Sequence, residues 1–271
     1  MKVNYHTHTA RCMHATGEDE EYVRHALKAG FEVLGFADHV PWPFASGYVS
    51  PIRMPMSEME GYIASVTSLR ERYAGQIDVR LGFEAEYFPR YRDHLLALCD
   101  RGVSFLVLGQ HYCDSEEDTV YSGLECKTDD GVRRYAEATV NAMRTGLFLY
   151  VAHPDLMMRH RTDAEYNAAC EEATDMICQA AAEMHLPLEY NLLGLDGVMH
   201  DASRGYPSTP FWERAKRWRN PVILGVDAHK PAMLSDSGLW EEGRRRVLEM
   251  GFRLLDDLEH DWSSADRQHN Q

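Results

Sequence analysis

Residues 33–39 have the sequence VLGFADH, in which five apolar or small residues are followed by an acid and an imidazole. The apolar part has the composition of a buried strand, and Asp38 and His39 come where that strand should end. The stretch before it, EDEEYVRHALKAG at 18–30, has apolar residues at helical spacing and Gly30 as its expected C-cap. A helix followed by a buried strand is the repeating unit of α/β proteins with a parallel sheet.

The same alternation of short apolar runs and helical stretches continues along the 271-residue chain. Seven strands are predicted, at Lys2–Tyr5, Val33–Ala37, Ile77–Phe83, Phe105–Leu108, Leu147–Ala152, Leu186–Tyr190 and Val222–Val226. No linker rich in proline, glycine or serine interrupts them. We therefore expect a single domain over 1–271, with 259–271 as a frayed tail.

Each predicted strand ends in a polar or metal-capable residue. Beyond the first two strands, these residues are Glu84, Gln110 and His111, His153, Asn191, and Asp227 and His229. In a (β/α) barrel the carboxyl ends of the strands converge on one face, where barrel enzymes place their sites. In a doubly wound open sheet they would be spread along an edge, and only those near the switch point would meet. The pattern favours the barrel, with the open sheet as the alternative.

The first strand delivers a His-Thr-His sequence, in which His6 and His8 are two residues apart and should point to the same face. With His14 and four histidines at later strand ends, seven of the fourteen histidines are placed in this way. The alternative is a set of structural histidines with satisfied hydrogen bonds. Burying so many imidazoles without partners would be costly, so the pattern favours a metal centre.

Composition limits the partners that the chain could bind. The formal net charge is −15, from 28 basic and 43 acidic residues, which disfavours general nucleic-acid binding. No stretch reaches the roughly 20 apolar residues of a membrane span, and no secretory leader is apparent. Six scattered cysteines without a CxxC pair are typical of reduced thiols. We expect a cytoplasmic protein with no nucleic-acid or membrane partner; the sequence does not predict its oligomeric state.

Six motifs resemble the polymerase and histidinol phosphatase (PHP) family of metal-dependent phosphoesterases. They are YHTHTARCMH, FADH, GFEAEYF, LGQH, VAHPDL and GVDAH, between residues 5 and 229. Within the family the sequence is most similar to the stand-alone histidinol-phosphate phosphatases. The resemblance implies a distorted, TIM-barrel-like (β/α)7 barrel. The chain departs from the family pattern at LGQH (residues 108–111), where many members have a Ser-Val-His sequence. The histidine is retained, but the contact that its neighbours would make with the substrate is in doubt.

The resemblance also implies three divalent metal ions. His6, His8 and Asp227 would hold one, and Glu84 would bridge it to a second, which His111 and His153 complete. His14, His39 and His229 would hold the third. Mixed imidazole and carboxylate ligands suit zinc, iron or manganese.

The implied reaction is hydrolysis of L-histidinol phosphate to L-histidinol and phosphate, by attack of a metal-bridging hydroxide. In this reading Glu84 bridges the two metals, and an acid near Asp38 or His229 is a candidate proton source for the leaving alkoxide. The alternative within the same fold is a phosphoesterase acting on a nucleotide or another small phosphate monoester or diester. An amidohydrolase and a non-catalytic metal-binding module are two further alternatives.

A phosphate monoester also needs cationic side chains at the rim of its site. Arg159 is the first candidate and Arg204 the second, because a guanidinium can engage two phosphate oxygens. Weaker candidates are Arg161, Lys230 and Arg53. The amine and imidazole of histidinol need acidic, polar or aromatic partners, for which the candidates are Asn191, Trp42, Tyr112, Asp114 and Glu116.

Overall fold

Seven parallel strands form one sheet, in which each strand is hydrogen-bonded to the next along the chain, in a computed structural model. The structure describes residues 1–201 and 204–258. The strands are β1 (Val3–Asn4), β2 (Val33–His39), β3 (Asp78–Ala85), β4 (Phe105–Leu108), β5 (Tyr150–Val151), β6 (Leu188–Asn191) and β7 (Val222–Gly225). All seven predicted strands are present, and the predicted α/β fold with a parallel sheet is confirmed.

The last strand returns to the first, so the sheet is a nearly closed barrel rather than an open sheet. Thr7 and Ala228 form a parallel bridge just beyond β1 and β7. His8 N donates to the Ala228 carbonyl at 2.9 Å, and Ala228 N donates to the His6 carbonyl at 3.1 Å. This closure confirms the barrel, and it brings the loops that follow β1 and β7 side by side.

Two strands are shorter than their apolar runs predict. The predicted strand 147–152 contains β5, which has only two residues, and β1 likewise has two. Leu147 and Phe148 are nevertheless buried, because they pack in the connection that leads into β5. Apolar composition therefore marks burial correctly and overestimates the length of the strand.

Helices cover the outside of the barrel. They are α1 (Asp19–Lys28), α2 (Met59–Arg72), α3 (Arg92–Cys99), α4 (Ser122–Glu125), α5 (Asp129–Met143), α6 (Ala168–Glu183), α7 (Leu192–His200), α8 (Thr209–Ala215), α9 (Pro231–Leu234) and α10 (Ser237–Glu249). The predicted helix at 18–30 is α1, whose capping box joins Glu18 and Glu21. It buries Tyr22, Val23 and Ala26, and Gly30 follows with a φ of 76°. None of the helices in the described part of the chain is long and apolar enough to cross a membrane.

The barrel has two hydrophobic layers. The larger lies between the sheet and the helices, and the smaller fills the barrel interior with Phe105, Tyr150, Ile223 and their neighbours. Leu258 belongs to this interior layer, and its carbonyl accepts a hydrogen bond from the Tyr5 hydroxyl at 3.0 Å. The segment that leads to Leu258 thus closes the floor of the barrel, opposite the carboxyl ends of the strands. The predicted tail 259–271 lies outside the described residues.

Candidate metal centre

The predicted ligands converge at the carboxyl ends of the strands, around a cavity of about 310 Å³. Eight of the nine line this cavity, namely His8, His14, His39, Glu84, His111, His153, Asp227 and His229. The ninth, His6, is completely buried directly behind them. Residues from opposite ends of the sequence therefore meet in one place, as the barrel prediction required.

A first group of ligand atoms lies where β1, β3 and β7 come together. Asp227 Oδ1 is 3.5 Å from His6 Nε2 and 3.2 Å from His8 Nε2. Glu84 Oε2 is 3.5 Å from each of the same two nitrogens. The ligand atoms of His6, His8 and Glu84 lie within 4.8 Å of one another, and so do those of His6, His153 and Asp227, which is the spacing of groups that can share a cation.

A second group forms on the other side of the same carboxylate. Glu84 Oε1 is 2.8 Å from His153 Nε2 and 3.5 Å from His111 Nε2. Oε2 faces the first group and also lies 3.0 Å from His39 Nδ1, while Oε1 faces the second group, so Glu84 has the placement that a bridging ligand requires. Gly109 leaves the space for this carboxylate, since a Cβ there would lie 2.0 Å from Glu84 Oε1.

A third group consists of His14, His39 and His229, whose ligand atoms lie within 4.8 Å of one another. Backbone carbonyls orient two of the rings. His14 Nδ1 lies 2.6 Å from the Cys12 carbonyl, and His229 Nδ1 lies 3.0 Å from the Asp227 carbonyl. With Nδ1 donating to these oxygens, Nε2 of each ring keeps a free lone pair, which is the state a metal ligand needs.

The cluster contains buried polar atoms that have no hydrogen-bond partner among the described residues. They include His6 Nε2, His8 Nε2, Glu84 Oε2, Asp227 Oδ1 and His229 Nε2. Leaving such atoms unpaired in a folded protein is costly, and a cation between them would satisfy them together. The residues present therefore fit a metal centre.

Electrostatics in the cluster favour ionised carboxylates. Burial disfavours the charge on Asp227, but His6 and the neighbouring imidazoles outweigh it and hold its pKa well below the usual range. Glu84 behaves in the same way, with His111 and His6 as the main opposing groups, so its pKa is also lowered. Burial lowers the pKa of His229 to about 4, which leaves this imidazole neutral at neutral pH.

Strained backbone supports two of the candidate ligands. Asp227 has a φ of 52° and His153 has a φ of 29°, in a region that residues with side chains rarely occupy. Such conformations tend to be kept where they aim a functional side chain. Here they direct the two side chains toward the shared cavity.

Asp38, predicted as a candidate acid, is completely buried and is not among the residues that line the cavity. Its Oδ2 accepts hydrogen bonds from the Thr9 backbone and hydroxyl, and its Oδ1 accepts from His39 N at 2.8 Å. Oδ1 also lies 3.5 Å from His8 Nδ1. The arrangement makes Asp38 a residue that orients His8, whereas His229 faces the cavity.

Arg159, the first candidate for phosphate binding, lines the cavity between two tyrosines. Its Nη1 donates to the Tyr206 hydroxyl at 3.1 Å, and its guanidinium lies 5.6 Å from the ring centre of Tyr121 and 5.8 Å from that of Tyr206. The charged group is thus held beside the metal centre by aromatic neighbours.

The second candidate, Arg204, is exposed, and its side chain lies beside Gly197 rather than in the cavity lining. Asn191 is buried, and its amide nitrogen donates to Glu189 Oε1 at 2.6 Å and to Asp227 Oδ2 at 3.2 Å. Its carbonyl oxygen accepts from Gly194 N at 2.7 Å. The hydrogen bonds of Asn191 are therefore made within the protein, and a contact of either residue with substrate stays a prediction.

Two of the three weaker cationic candidates bind partners outside the cavity. Arg53 is buried and paired with Glu86 and Glu116. Arg161 is buried and donates to the Cys126 carbonyl, among other partners, and Lys230 is exposed.

The aromatic and acidic candidates for the rest of the substrate also lie outside the cavity lining. Trp42 packs against Phe88 and Tyr91 and donates to Glu86 at 3.2 Å, which gives it a packing role in its loop. Tyr112 is buried and Asp114 is exposed, and neither lines the cavity. Glu116 is fully engaged with its ion-pair and hydroxyl partners.

Sequence reasoning missed several residues of the site, including the apolar lining residues Ile52, Leu156 and Leu193. Tyr121 and Tyr206 line the cavity, but both lie in loops, away from the strand ends on which the prediction of the site was based. Glu189 is a completely buried acid behind His6, and the signal for it was an acid within the otherwise apolar run at 186–190. Glu86 lies 3.5 Å from His111 Nδ1, and its signal was its place two residues after Glu84, on the same face of the strand.

Comparison with known proteins gives consistent results. A sequence model described as the PHP domain matches residues 4–191. A probable histidinol-phosphatase of Deinococcus radiodurans is 30% identical over 258 residues, covering 93% of this chain and 89% of the relative. A histidinol-phosphatase of Bacillus subtilis is 24% identical over 254 residues, covering 85% of this chain and 94% of the relative.

Among solved structures, one match is a histidinol phosphate phosphatase of Lactococcus lactis, crystallised with zinc, L-histidinol and phosphate. It has a TM-score of 0.72 and 18% identity, covering 96% of this chain and 99% of that chain, and it confirms the distorted barrel. The family model extends over more than half of the chain, and the relative from D. radiodurans is similar along nearly its whole length. This chain therefore belongs to the PHP domain family.

Proposed function

We propose that this chain is a metal-dependent phosphomonoesterase that hydrolyses L-histidinol phosphate to L-histidinol and inorganic phosphate. The observation that carries the proposal is the complete set of nine metal-capable residues around one cavity. Similarity to two histidinol-phosphatases over more than four-fifths of the chain supports the choice of substrate.

The proposed ligands are those of the three groups described above. His6, His8 and Asp227 would hold one divalent cation, with Glu84 shared with the second. His111 and His153 complete the second set, and His14, His39 and His229 form the third. Zinc, iron or manganese bound there would lower the pKa of a water molecule and neutralise charge on the phosphate oxygens.

The protein's own contribution to phosphate binding is assigned to Arg159. Its guanidinium is the cationic side chain that lines the cavity, and a guanidinium can donate to two phosphate oxygens at once. The Tyr206 hydroxyl accepts a hydrogen bond from Nη1 of Arg159, which fixes the direction of the remaining N–H donors of the guanidinium. The guanidinium also lies 5.6 Å from the ring centre of Tyr121, and this second aromatic contact limits its movement.

The two predicted proton donors are assigned different roles. His229 lines the cavity, but its imidazole is neutral and its Nε2 lone pair is proposed to bind the third cation, so we assign it the role of a ligand and not that of a proton donor. Asp38 Oδ1 lies near His8 Nδ1 and accepts a hydrogen bond from the backbone N–H of His39, so its role is to orient the His8 imidazole and to fix the end of β2. Glu84 separates and orients the first two ligand groups through its two oxygens.

The rest of the substrate would lie against the apolar part of the cavity, formed by Ile52, Leu156 and Leu193. A cavity of about 310 Å³ is at the small end of the range for ligand sites, which suits a small phosphate ester. A long nucleic acid is also disfavoured by the net charge of −15.

A panel of phosphate esters tests the proposal. Protein loaded with zinc, manganese or ferrous iron should hydrolyse L-histidinol phosphate faster than mononucleotides or sugar phosphates, measured as released inorganic phosphate, and faster than a chromogenic diester, measured as released chromophore. Preference for a nucleotide or a diester would replace the proposed substrate with the alternative within this fold. Failure of the metal-loaded protein to hydrolyse any ester would overturn the assignment as a phosphoesterase. The cytoplasmic location stays a prediction.

A further inference from the structure

Glu189 is a carboxylate that lies behind the metal centre without lining its cavity. It comes from the middle of β6, and its side chain is completely buried. Its Oε2 lies 2.8 Å from His6 Nδ1, a hydrogen-bond distance between two fully buried groups. The other nitrogen of the same ring, Nε2, faces Glu84 and Asp227 at 3.5 Å from each.

Asn191 extends this contact to a second member of the first ligand group. Its amide nitrogen donates to Glu189 Oε1 at 2.6 Å and to Asp227 Oδ2 at 3.2 Å. The amide is itself held in place, because its oxygen accepts from Gly194 N at the start of α7. One pair of residues on β6 therefore contacts both His6 and Asp227 on the sides that face away from the cavity.

The neighbouring strand leaves room for this carboxylate. A Cβ at position 225, on β7, would lie 2.3 Å from both Cδ and Oε2 of Glu189. No real Cβ approaches another atom so closely, so the observed position of Glu189 requires glycine at 225. Three residues on two adjacent strands thus combine to place one buried acid against His6.

We infer that Glu189 is a positioning residue, which orients His6 toward the cation that His6, His8 and Asp227 would hold. Asn191 links Glu189 to Asp227. The inference rests on the metal centre proposed above. A carboxylate acceptor keeps the proton of His6 on Nδ1, so that the lone pair of Nε2 points at the cavity. The negative charge of Glu189 also makes Nε2 of His6 a stronger electron-pair donor to a cation.

The test measures metal binding rather than turnover alone. Metal-free protein is titrated with zinc in competition with a chromophoric chelator, and with cobalt while the visible absorption bands are recorded. Glu189→Gln keeps the shape of the side chain and removes its charge. It should weaken binding at one site by 10-fold to 100-fold, leave the other sites unchanged and alter the cobalt spectrum.

Gly225→Ala is the second variant, since it keeps the acid and displaces it from His6. It should weaken the same site as Glu189→Gln, which keeps the test valid if the glutamine variant does not fold. Asp175→Asn is the matched control, because it removes a carboxylate that pairs with Arg214 between α6 and α8. Its metal binding should equal that of the unmodified protein.

Two results separate failure of this inference from failure of the proposed function. If the unmodified protein binds zinc and hydrolyses phosphate esters, but Glu189→Gln and Gly225→Ala bind zinc as tightly as Asp175→Asn, the role of Glu189 is overturned. If the unmodified protein binds no divalent cation, the metal centre itself is overturned. Weakened zinc binding in both site variants, with an unchanged control, supports the inference.

Discussion

Arg53 Nη2 donates to Glu86 Oε1 at 2.8 Å, and both side chains are only 1% exposed. The same guanidinium donates through Nε to Glu116 Oε2 at 2.7 Å and through Nη1 to the Val40 carbonyl at 2.9 Å. These residues follow three different strands, and Glu86 lies 3.5 Å from His111 Nδ1. A buried cluster of charges therefore ties together the loops on one side of the metal centre, and removing one member leaves the others unpaired.

The Glu86 carboxylate should make stability depend on pH in acid. Burial disfavours its charge, but Arg53 outweighs burial and lowers its pKa from 4.5 to about 2. Because the folded-state pKa is the lower one, this contribution is present above about pH 4.5 and is lost as the pH falls toward 2. Glu86→Gln should lower the free energy of unfolding at pH 7 by on the order of 3 kcal/mol.

Urea unfolding of metal-free protein at pH 7 and pH 3 checks this expectation. The difference between Glu86→Gln and the unmodified protein should shrink at the lower pH. Glu172→Gln, a change of an exposed acid on α6, should cost almost nothing at either pH. An equal difference at both values of pH would show that the charge of Glu86 is not what stabilises the fold.

Arg159→Ala should impair hydrolysis of phosphate esters without loss of metal. The substitution removes the paired N–H donors that would bind two phosphate oxygens, so we expect KM to rise or kcat to fall by roughly 10-fold or more. Arg159→Lys should recover little of this, because an ammonium group cannot engage two oxygens in the same plane. Steady-state kinetics with parallel elemental analysis measures both effects. Kinetic constants within about twofold of those of the unmodified protein would refute the role of Arg159.

Gly109→Ala should disturb the carboxylate that is shared by the first two ligand groups. The new methyl group would lie 2.0 Å from Glu84 Oε1 and 2.6 Å from its Cδ, so the side chain would have to move. We expect metal content to fall toward that of the third site, with a parallel loss of activity. Gly61→Ala, in α2 with no atom within 4 Å of the added Cβ, is the control and should bind metal normally. Normal metal content in Gly109→Ala would mean that Glu84 is not the shared ligand.

Removing metal should destabilise the folded protein. Cations that bind the folded chain and not the unfolded chain add stability, by about 2.7 kcal/mol for each site at a free concentration 100 times its Kd. Addition of zinc to chelator-treated protein should therefore raise Tm. His14→Ala should reduce this increase only in part, because His14 belongs to the third group alone. An unchanged Tm on addition of zinc, manganese and iron would argue against a centre of this kind.

Most of the centre could be predicted from the sequence because every predicted ligand except His14, which follows the turn at Ala10–Cys12, lies at or within a few residues of the end of a strand. Period-two geometry places His6 and His8 on one face, and barrel closure brings Asp227 and His229 beside them. Spacing along the chain and the barrel topology therefore predict that these residues converge, whereas their division into three ligand sets came from the family resemblance. The seven strands followed from the same apolar runs, although β1 and β5 are shorter than predicted.

The residues behind the ligands were harder to predict, because their roles depend on side chains that meet only in three dimensions. Arg53 was a candidate for phosphate binding, yet two buried acids from other loops bind its guanidinium. Glu189 gave only a weak signal, since a single acid within an apolar run does not reveal which imidazole it faces. Hydrogen-bond partners of this kind follow from packing and not from spacing along the chain.

The floor of the barrel has a consequence for how the protein is made. Tyr5 and Leu258 are 253 positions apart, and the bridge between Thr7 and Ala228 also joins residues that are far apart in the sequence. At a synthesis rate of roughly 5 to 20 residues per second, the first strand waits on the order of ten seconds or longer for these partners to leave the ribosome. Until then the edge of β1 that faces β7 and the hydroxyl of Tyr5 lack their native partners, although β2 and Phe105 already cover the rest of the strand. We therefore expect early segments of this nascent chain to depend on chaperones.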